Sequence, residues 1–287
     1  MSEKTKGILC IIFSALSFAF MSLFIKLSGD IPTLQKSFFR NFVAALVAFA
    51  MLKKNHTPLK CSKESFKYVF GRAFFGTVGI FCNFYGVDHL NIADASMLNK
   101  LSPFFAIIFS FFILKEKVAN YQIGCLLTAI IGAMFILKPS GSAMLSVPAL
   151  IAMVGGMGAG MAYTLLRKPT GMGVKGPFIV FFFSVFSCLC SLPYCIFNYT
   201  HMEPIQCFYL FMTGVAATFG QFFITAAYSH APAKELSVYS NVIFAGILGF
   251  IILGEVPDVF SYIGCVLIIA PAVIMFIVGN KRELKEA

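Results

Sequence analysis

Charge is scarce in this sequence. Only 12% of its 287 residues are Asp, Glu, Lys or Arg, while 59% are hydrophobic; an ordinary soluble domain has about a quarter charged. Water cannot be the main solvent of such a chain. Acids are the scarcer charge, 12 against 22 basic residues. None of them lies near the centre of an apolar run, which argues against a carboxylate proton relay at membrane depth. Glu235 and His230, near the end of one run, are the fallback proton carriers. No Walker A motif is present, so there is no sign of an ATP-hydrolysing unit. His56, His89, His201 and His230 fall in loops or at helix ends without metal-ligand spacing, and neither a metal nor a cofactor is expected.

Other classes are excluded by arrangement. Most of the 9 cysteines, such as Cys10, Cys82, Cys125, Cys188, Cys190 and Cys265, lie in apolar runs, where a thiol acts as a small hydrophobe. No disulfide or zinc framework is visible. The formal charge of +10 is not gathered into a patch interleaved with aromatics, so nucleic acid is not an expected partner. Gly171-Met-Gly173-Val-Lys-Gly176 matches the dinucleotide-binding pattern by letter, but no strand precedes it, and the glycine turn of that motif needs one.

What the chain does have is long apolar runs. Gly7–Ile25, Val118–Leu137, Leu236–Gly254 and Val259–Gly279 carry no Asp, Glu, Lys, Arg or His, and each approaches the roughly 20 residues needed to cross a bilayer. Six further runs, around Lys36–Leu52, Phe66–Gly86, Ala93–Leu114, Leu145–Leu166, Gly176–Phe197 and Gln206–Ser229, are apolar apart from isolated polar residues. The expectation is an all-α integral membrane protein with ten transmembrane helices. The first run follows Lys4 and Lys6 like a secretory signal, but it lacks a small-residue cleavage site and runs longer than a signal core, so it reads as the first helix.

Basic residues sort by side. With the amino terminus inside, most of them, including Lys53, Lys54, Lys63, Lys67, Arg72, Arg167, Lys168 and Lys175, fall in inner segments, whereas Lys26, Lys36, Arg40, Lys100 and Lys138 do not. This bias predicts cytoplasmic termini, in the cytoplasmic membrane of a bacterium. Connections between the runs are short, so function must sit among the helices.

The chain also repeats itself. Residues 95–118 align with 234–257, placing Glu116 opposite Glu255, and Gly124-Cys125 matches Gly264-Cys265. Two halves, 1–138 and 139–287, would then hold five helices each. An odd number makes the second half enter from the opposite face, giving two inverted five-helix repeats. Glu116 and Glu255 are expected to cap the helices that follow them.

Several motifs carry a family resemblance: Phe39-Arg40-Asn41, Ile92-Ala-Asp-Ala-Ser96 running into Leu101-Ser102-Pro103, the Leu-Lys-Glu ending at Glu116, and Leu253-Gly-Glu-Val-Pro257. Through them the chain resembles EamA-type members of the drug/metabolite transporter superfamily over nearly its whole length. The resemblance implies two five-helix bundles around a central cavity that moves metabolites, amino acids or drugs. The chain departs from it in having no Trp, which relatives often carry in the first helix; Phe20 or Phe24 can supply that aromatic wall.

Polar residues within the runs are the candidate site. Lys100 lies about 10 Å into the fourth run, counted from Ala93. A lysine at that depth should face protein or water, unless it snorkels to the surface. Ser96, Asn99, Lys100 and Pro103 share one face, and Pro103 frees the Asn99 carbonyl. In the repeat-related ninth run Ser237, Ser240 and Asn241 again share a face. Two such stripes would line one cavity. Arg40 either joins them or clasps a loop acid such as Asp94. Asn83, Tyr85, Tyr163, Gln221 and Tyr228 are further candidates, with interhelical hydrogen bonding as the alternative. Gly156 and Gly160 form a small-residue pair suited to close helix packing. Asn198-Tyr-Thr200 is a glycosylation pattern, meaningful only in a secretory pathway.

A secondary transporter accounts for these features best, with a small molecule and the lipid bilayer as partners and a homodimer left open. A membrane-embedded transferase and a receptor-like bundle are the competitors. Deep cations without deep carboxylates point to an amino acid, an organic acid or an S-adenosylmethionine-like cargo; an exporter of cationic or apolar compounds is the alternative.

Overall fold

The computed structural model describes residues 3–57, 59, 61–115, 118–137, 147–230, 248–254 and 258–286. Every regular element among them is helical. The helices are α1 (Glu3–Leu27), α2 (Thr33–Lys54), α3 (Lys63–His89), α4 (Ile92–Asn99), α5 (Ser102–Phe109), α6 (Asn120–Leu137), α7 (Val147–Gly171), α8 (Gly176–Phe197), α9 (Pro204–His230) and α10 (Val259–Glu286). Two π-helical turns, Ser110–Leu114 and Gly249–Leu253, stand at matching places in the aligned sequence segments. Each is followed by a left-handed residue, Lys115 at φ 56° and Gly254 at φ 65°.

Five stretches are long and apolar enough to cross a membrane: Leu9–Leu27, Asp94–Leu114, Val147–Gly171, Gly176–Phe197 and Pro204–Ala227; Asn120–Phe135 and Val259–Pro271 are shorter apolar helices. The α2 and α3 helices, 22 and 27 residues long, have the reach to cross. They are less apolar because they bury Gln35, Lys36, Arg40, Asn41, Arg72 and Asn83. Large apolar side chains cover the outside instead, among them Phe42, Leu46, Phe70, Phe112, Leu127 and Val266. A water-soluble monomer does not carry such a belt; lipid is the solvent that fits it.

The main pairings are α1 with α9, α2 with α8, α3 with α7 and α6 with α10. Glycine sets how closely α7 approaches its neighbours. A Cβ on Gly155 would lie 3.0 Å from the Asn83 nitrogen, and one on Gly158 would lie 2.9 Å from the Phe75 carbonyl. On its other side, a Cβ on Gly156 would meet the Leu98 carbonyl at 2.5 Å and one on Gly160 the Ser102 carbonyl at 2.6 Å. The Gly156/Gly160 pair therefore packs helix against helix, as its spacing suggested. Gly173, at φ +80°, turns the chain between α7 and α8, which is the structural job of the glycine-rich segment there.

One end of the bundle is tied by polar contacts. Lys36 Nζ donates to Asp88 Oδ1 at 2.5 Å, and Thr33 donates to Asp88 Oδ2 at 2.8 Å. Lys26 Nζ donates to the Leu90 carbonyl at 2.6 Å and the Val87 carbonyl at 3.2 Å, satisfying carbonyls that the end of α3 leaves open. Lys26, one of the cations that the sequence sets outside the inner segments, thus caps the end of α3. Gln35 exchanges two hydrogen bonds with the backbone of Thr200, at 2.8 and 2.9 Å. The Asn198–Thr200 loop is fixed by that pair.

Candidate functional site

The expected continuous fourth helix is broken. After α4 ends at Asn99, Lys100 takes φ −71° and ψ −4°, and Leu101 φ −69° and ψ −13°. The turn tightens there: Lys100 N reaches the Met97 carbonyl at 2.9 Å and Leu101 N the Leu98 carbonyl at 3.2 Å. Pro103, in the first turn of α5, has no N–H for the Asn99 carbonyl. The break is where a membrane protein can present backbone and side chain to a cavity rather than to lipid. Gly156 and Gly160 of α7 make the room for it.

A cavity of about 120 Å³ opens beside this break and is lined by α1, α2, α3, α4, α5, α7, α8 and α9. Lys100, Asn99 and Ser96 come from the break, with Arg40 from α2, Arg72 and Asn83 from α3, Tyr163 from α7, and Gln221 from α9. Of the residues singled out in the sequence, these line one space, apart from Arg72, which had been assigned to the inner surface. Arg72 is 4% exposed and stands nine residues into α3, about 13 Å along it. Counting from Lys63 would have shown that depth; reading Lys63, Lys67 and Arg72 as one basic cluster hid it. Ser14, Ser22 and Phe183 also line the cavity and carried no sequence signal, since each looks like an ordinary residue of an apolar run.

Tyr85 is not among the described lining residues. Its ring stacks on His89 with centroids 4.0 Å apart. It is two positions on from Asn83, about 200° around a helix, so the pair cannot face one cavity. Ser237, Ser240, Asn241 and Glu235 lie outside the described residues, as do Glu116 and Glu255 and the side chains of Tyr228 and His230.

The proposed clasp between Arg40 and Asp94 is not formed. Asp94 sits buried in the first turn of α4, where the helix dipole favours an anion. Arg40 donates to the side-chain oxygen of Asn41 instead. Asn41 is held in turn by the Ser37 carbonyl at 2.9 Å and the Ser187 hydroxyl at 2.8 Å. Arg72 donates to Gln221 Oε1 at 3.1 Å. Both guanidinium groups lie over the Phe183 ring, with Cζ to centroid distances of 4.4 Å for Arg72 and 5.7 Å for Arg40. None of the described lining residues is acidic. The cavity can therefore offer positive charge and hydrogen-bond donors to an anionic guest, and no described residue there suits a metal.

A helical bundle in a lipid-facing coat, with a polar and cationic cavity against a broken helix, defines an integral membrane protein of the kind that handles small solutes. Residues 5–138 match the model described as the EamA-like transporter family. The pseudopaline exporter of Pseudomonas aeruginosa is 28% identical over 93% of this chain and 94% of its own length. The S-adenosylmethionine uptake transporter of Rickettsia prowazekii is 22% identical over 90% of this chain and 87% of its own. A crystal structure at 14% identity superposes with a TM-score of 0.72, covering 97% of this chain and 99% of the other, which is a likeness of fold. Over residues 5–138 the chain is thus similar to the EamA-like transporter family.

Proposed function

We propose that this protein is a secondary transporter that carries a carboxylate-bearing or zwitterionic metabolite across the cytoplasmic membrane by alternating access. The observation that carries the reading is the convergence of Arg40 and Lys100 on one cavity whose described lining contains no acid. Burying unneutralised charge is costly. A guest with a carboxylate relieves that cost on binding and, once released, leaves it in place for the next.

Support for two inverted halves, 1–138 and 139–287, comes from the helix pairing. Exchanging the halves maps α1 onto α7, α3 onto α9, α2 onto α8 and α6 onto α10, and the pairs α1–α9, α3–α7, α2–α8 and α6–α10 are unchanged by it. The two π-turns with their left-handed ends obey the same exchange. Inverted copies of this kind can swap inward- and outward-open forms around a fixed site. Relatives named for export and for uptake both align.

Flux in proteoliposomes tests the reading. Carboxylate-bearing metabolites should be moved in preference to purely cationic drugs, with Lys100→Gln reducing the rate. A preference for cationic drugs that Lys100→Gln does not alter would overturn it. Orientation is tested separately: single cysteines near Asp88 and Asn198 should react from outside, and one near Thr57 should not.

A further inference from the structure

At the end of the bundle away from Asp88, α3 begins at Lys63 and α8 at Gly176. A cleft of about 630 Å³ opens there, with Lys63, Phe66 and Lys67 of α3 on one wall and Phe178, Phe181 and Phe182 of α8 on the other. One part of it is basic. Lys63 and Lys67 lie one turn apart on the same face, both are exposed, and among the described residues neither has an ion pair. Lys53 Nζ stands 5.1 Å from the Phe49 ring centroid, and Phe49 packs on Phe181 at 5.7 Å, so a third cation flanks the cleft. The amino ends of α3 and α8 add partial positive charge of their own. Glu64 is the acid of this first turn, and it does not line the cleft.

The other part is aromatic and runs along the bundle. Phe66, Phe70 and Phe74 recur every fourth residue of α3, and all three are exposed. Phe66 packs edge-on against Phe182 at 5.5 Å, and Phe70 against Phe186 at 5.4 Å. From first to last this strip is about 12 Å long, close to the roughly 15 Å depth of one hydrocarbon leaflet. Exposed phenylalanine alone is ordinary in a lipid-facing coat. What sets this strip apart is the basic cleft at its head.

We propose that this cleft binds a phospholipid of net negative headgroup, its phosphate held by Lys63 and Lys67 and one acyl chain laid along Phe66, Phe70 and Phe74. Charge complementarity selects the headgroup: juxtamembrane lysines attract anionic lipid, whereas a zwitterionic headgroup brings a cation of its own that they repel. A soluble phosphate would meet the lysines and leave the phenylalanines unused, so the occupant is a lipid. No described residue lines both this cleft and the central cavity, and the site does not depend on which cargo the cavity takes.

Native mass spectrometry of the delipidated protein in neutral detergent, titrated with phosphatidylglycerol or with phosphatidylcholine of the same acyl chains, tests this. Phosphatidylglycerol should be retained at least about tenfold more strongly. Lys63→Gln combined with Lys67→Gln should remove most of that preference, while Lys63→Arg combined with Lys67→Arg should keep it. Phe66→Ala combined with Phe70→Ala should weaken both lipids alike. Thermal unfolding in phosphatidylcholine micelles checks that each variant is folded; where the glutamine pair is not, the selectivity of the unaltered protein and of the arginine pair decides the matter. Equal retention of the two lipids, a preference unchanged in a folded glutamine pair, or one lost in a folded arginine pair would overturn the proposal. Release of phosphatidylglycerol by excess glycerol phosphate would assign the cleft to soluble anions and overturn it as well.

Discussion

Lys36 and Arg40 lie one turn apart on α2, are 2% and 1% exposed, and are handled in opposite ways. Lys36 meets Asp88 in an ion pair at 2.5 Å that Thr33 completes. Arg40 meets an amide, an aromatic ring and, across that ring, another arginine. The same helix thus carries a cation that is neutralised within the protein and one whose described partners are neutral. The first arrangement suits a fixed joint between α2 and α3. The second suits a site that awaits an anion from outside.

The contrast predicts effects of different kind and size. The largest is expected from Asp88→Asn, which strands Lys36 in a buried position; losing one partner of such a pair costs about 3–5 kcal/mol. Thermal unfolding in detergent would show the drop, and Lys36→Met combined with Asp88→Asn should recover most of it. An Asp88→Asn variant as stable as the parent would mean that the pair is not a joint at all.

Next comes the packing that frames the break. Gly156→Leu drives a side chain against the Leu98 carbonyl, and overpacking of this sort costs about 1–3 kcal/mol. Both stability and flux should fall together, because the displaced backbone carries Asn99 and Lys100. Unchanged flux in a destabilised protein would separate the break from the site.

Gln221→Ala should have a smaller effect on stability, about 1.5 kcal/mol, the low end for the loss of a hydrogen bond to a charged group, with the larger change in substrate affinity as Arg72 loses its guide. The smallest effect is expected from Tyr85→Phe. Its ring stack with His89 survives the change, and transport should be indistinguishable from the parent; a clear loss would place Tyr85 in the pathway after all.

How much of this was legible in the sequence follows from physics. Apolar runs of bilayer length are compositional, so the membrane-embedded, all-helical character could be read directly. Lys100 stood out because a charge within such a run has few affordable places. Pro103 marked the break but not its extent, since a proline can be absorbed as a kink; the tightened turn at Lys100 and Leu101 depends on Gly156 and Gly160 of α7, which no local pattern links to it. Arg72 was hidden by Lys67 nearby, and Tyr85 lies off the described lining because helical phase, not polarity, decides which side chains meet. The neutral company of Arg40 is a matter of tertiary contact that neighbouring letters do not encode.

Arg40→Met, assayed for stability and for flux in the same preparation, tests the contrast most directly. Replacing a buried charge with an apolar side chain of similar length removes a desolvation cost, so the unfolding temperature should stay level or rise while carboxylate flux falls at least about tenfold, equivalent to about 1.4 kcal/mol of lost interaction. A destabilised protein that still transports at the parent rate would show that Arg40, like Lys36, serves the fold, and would contradict the account.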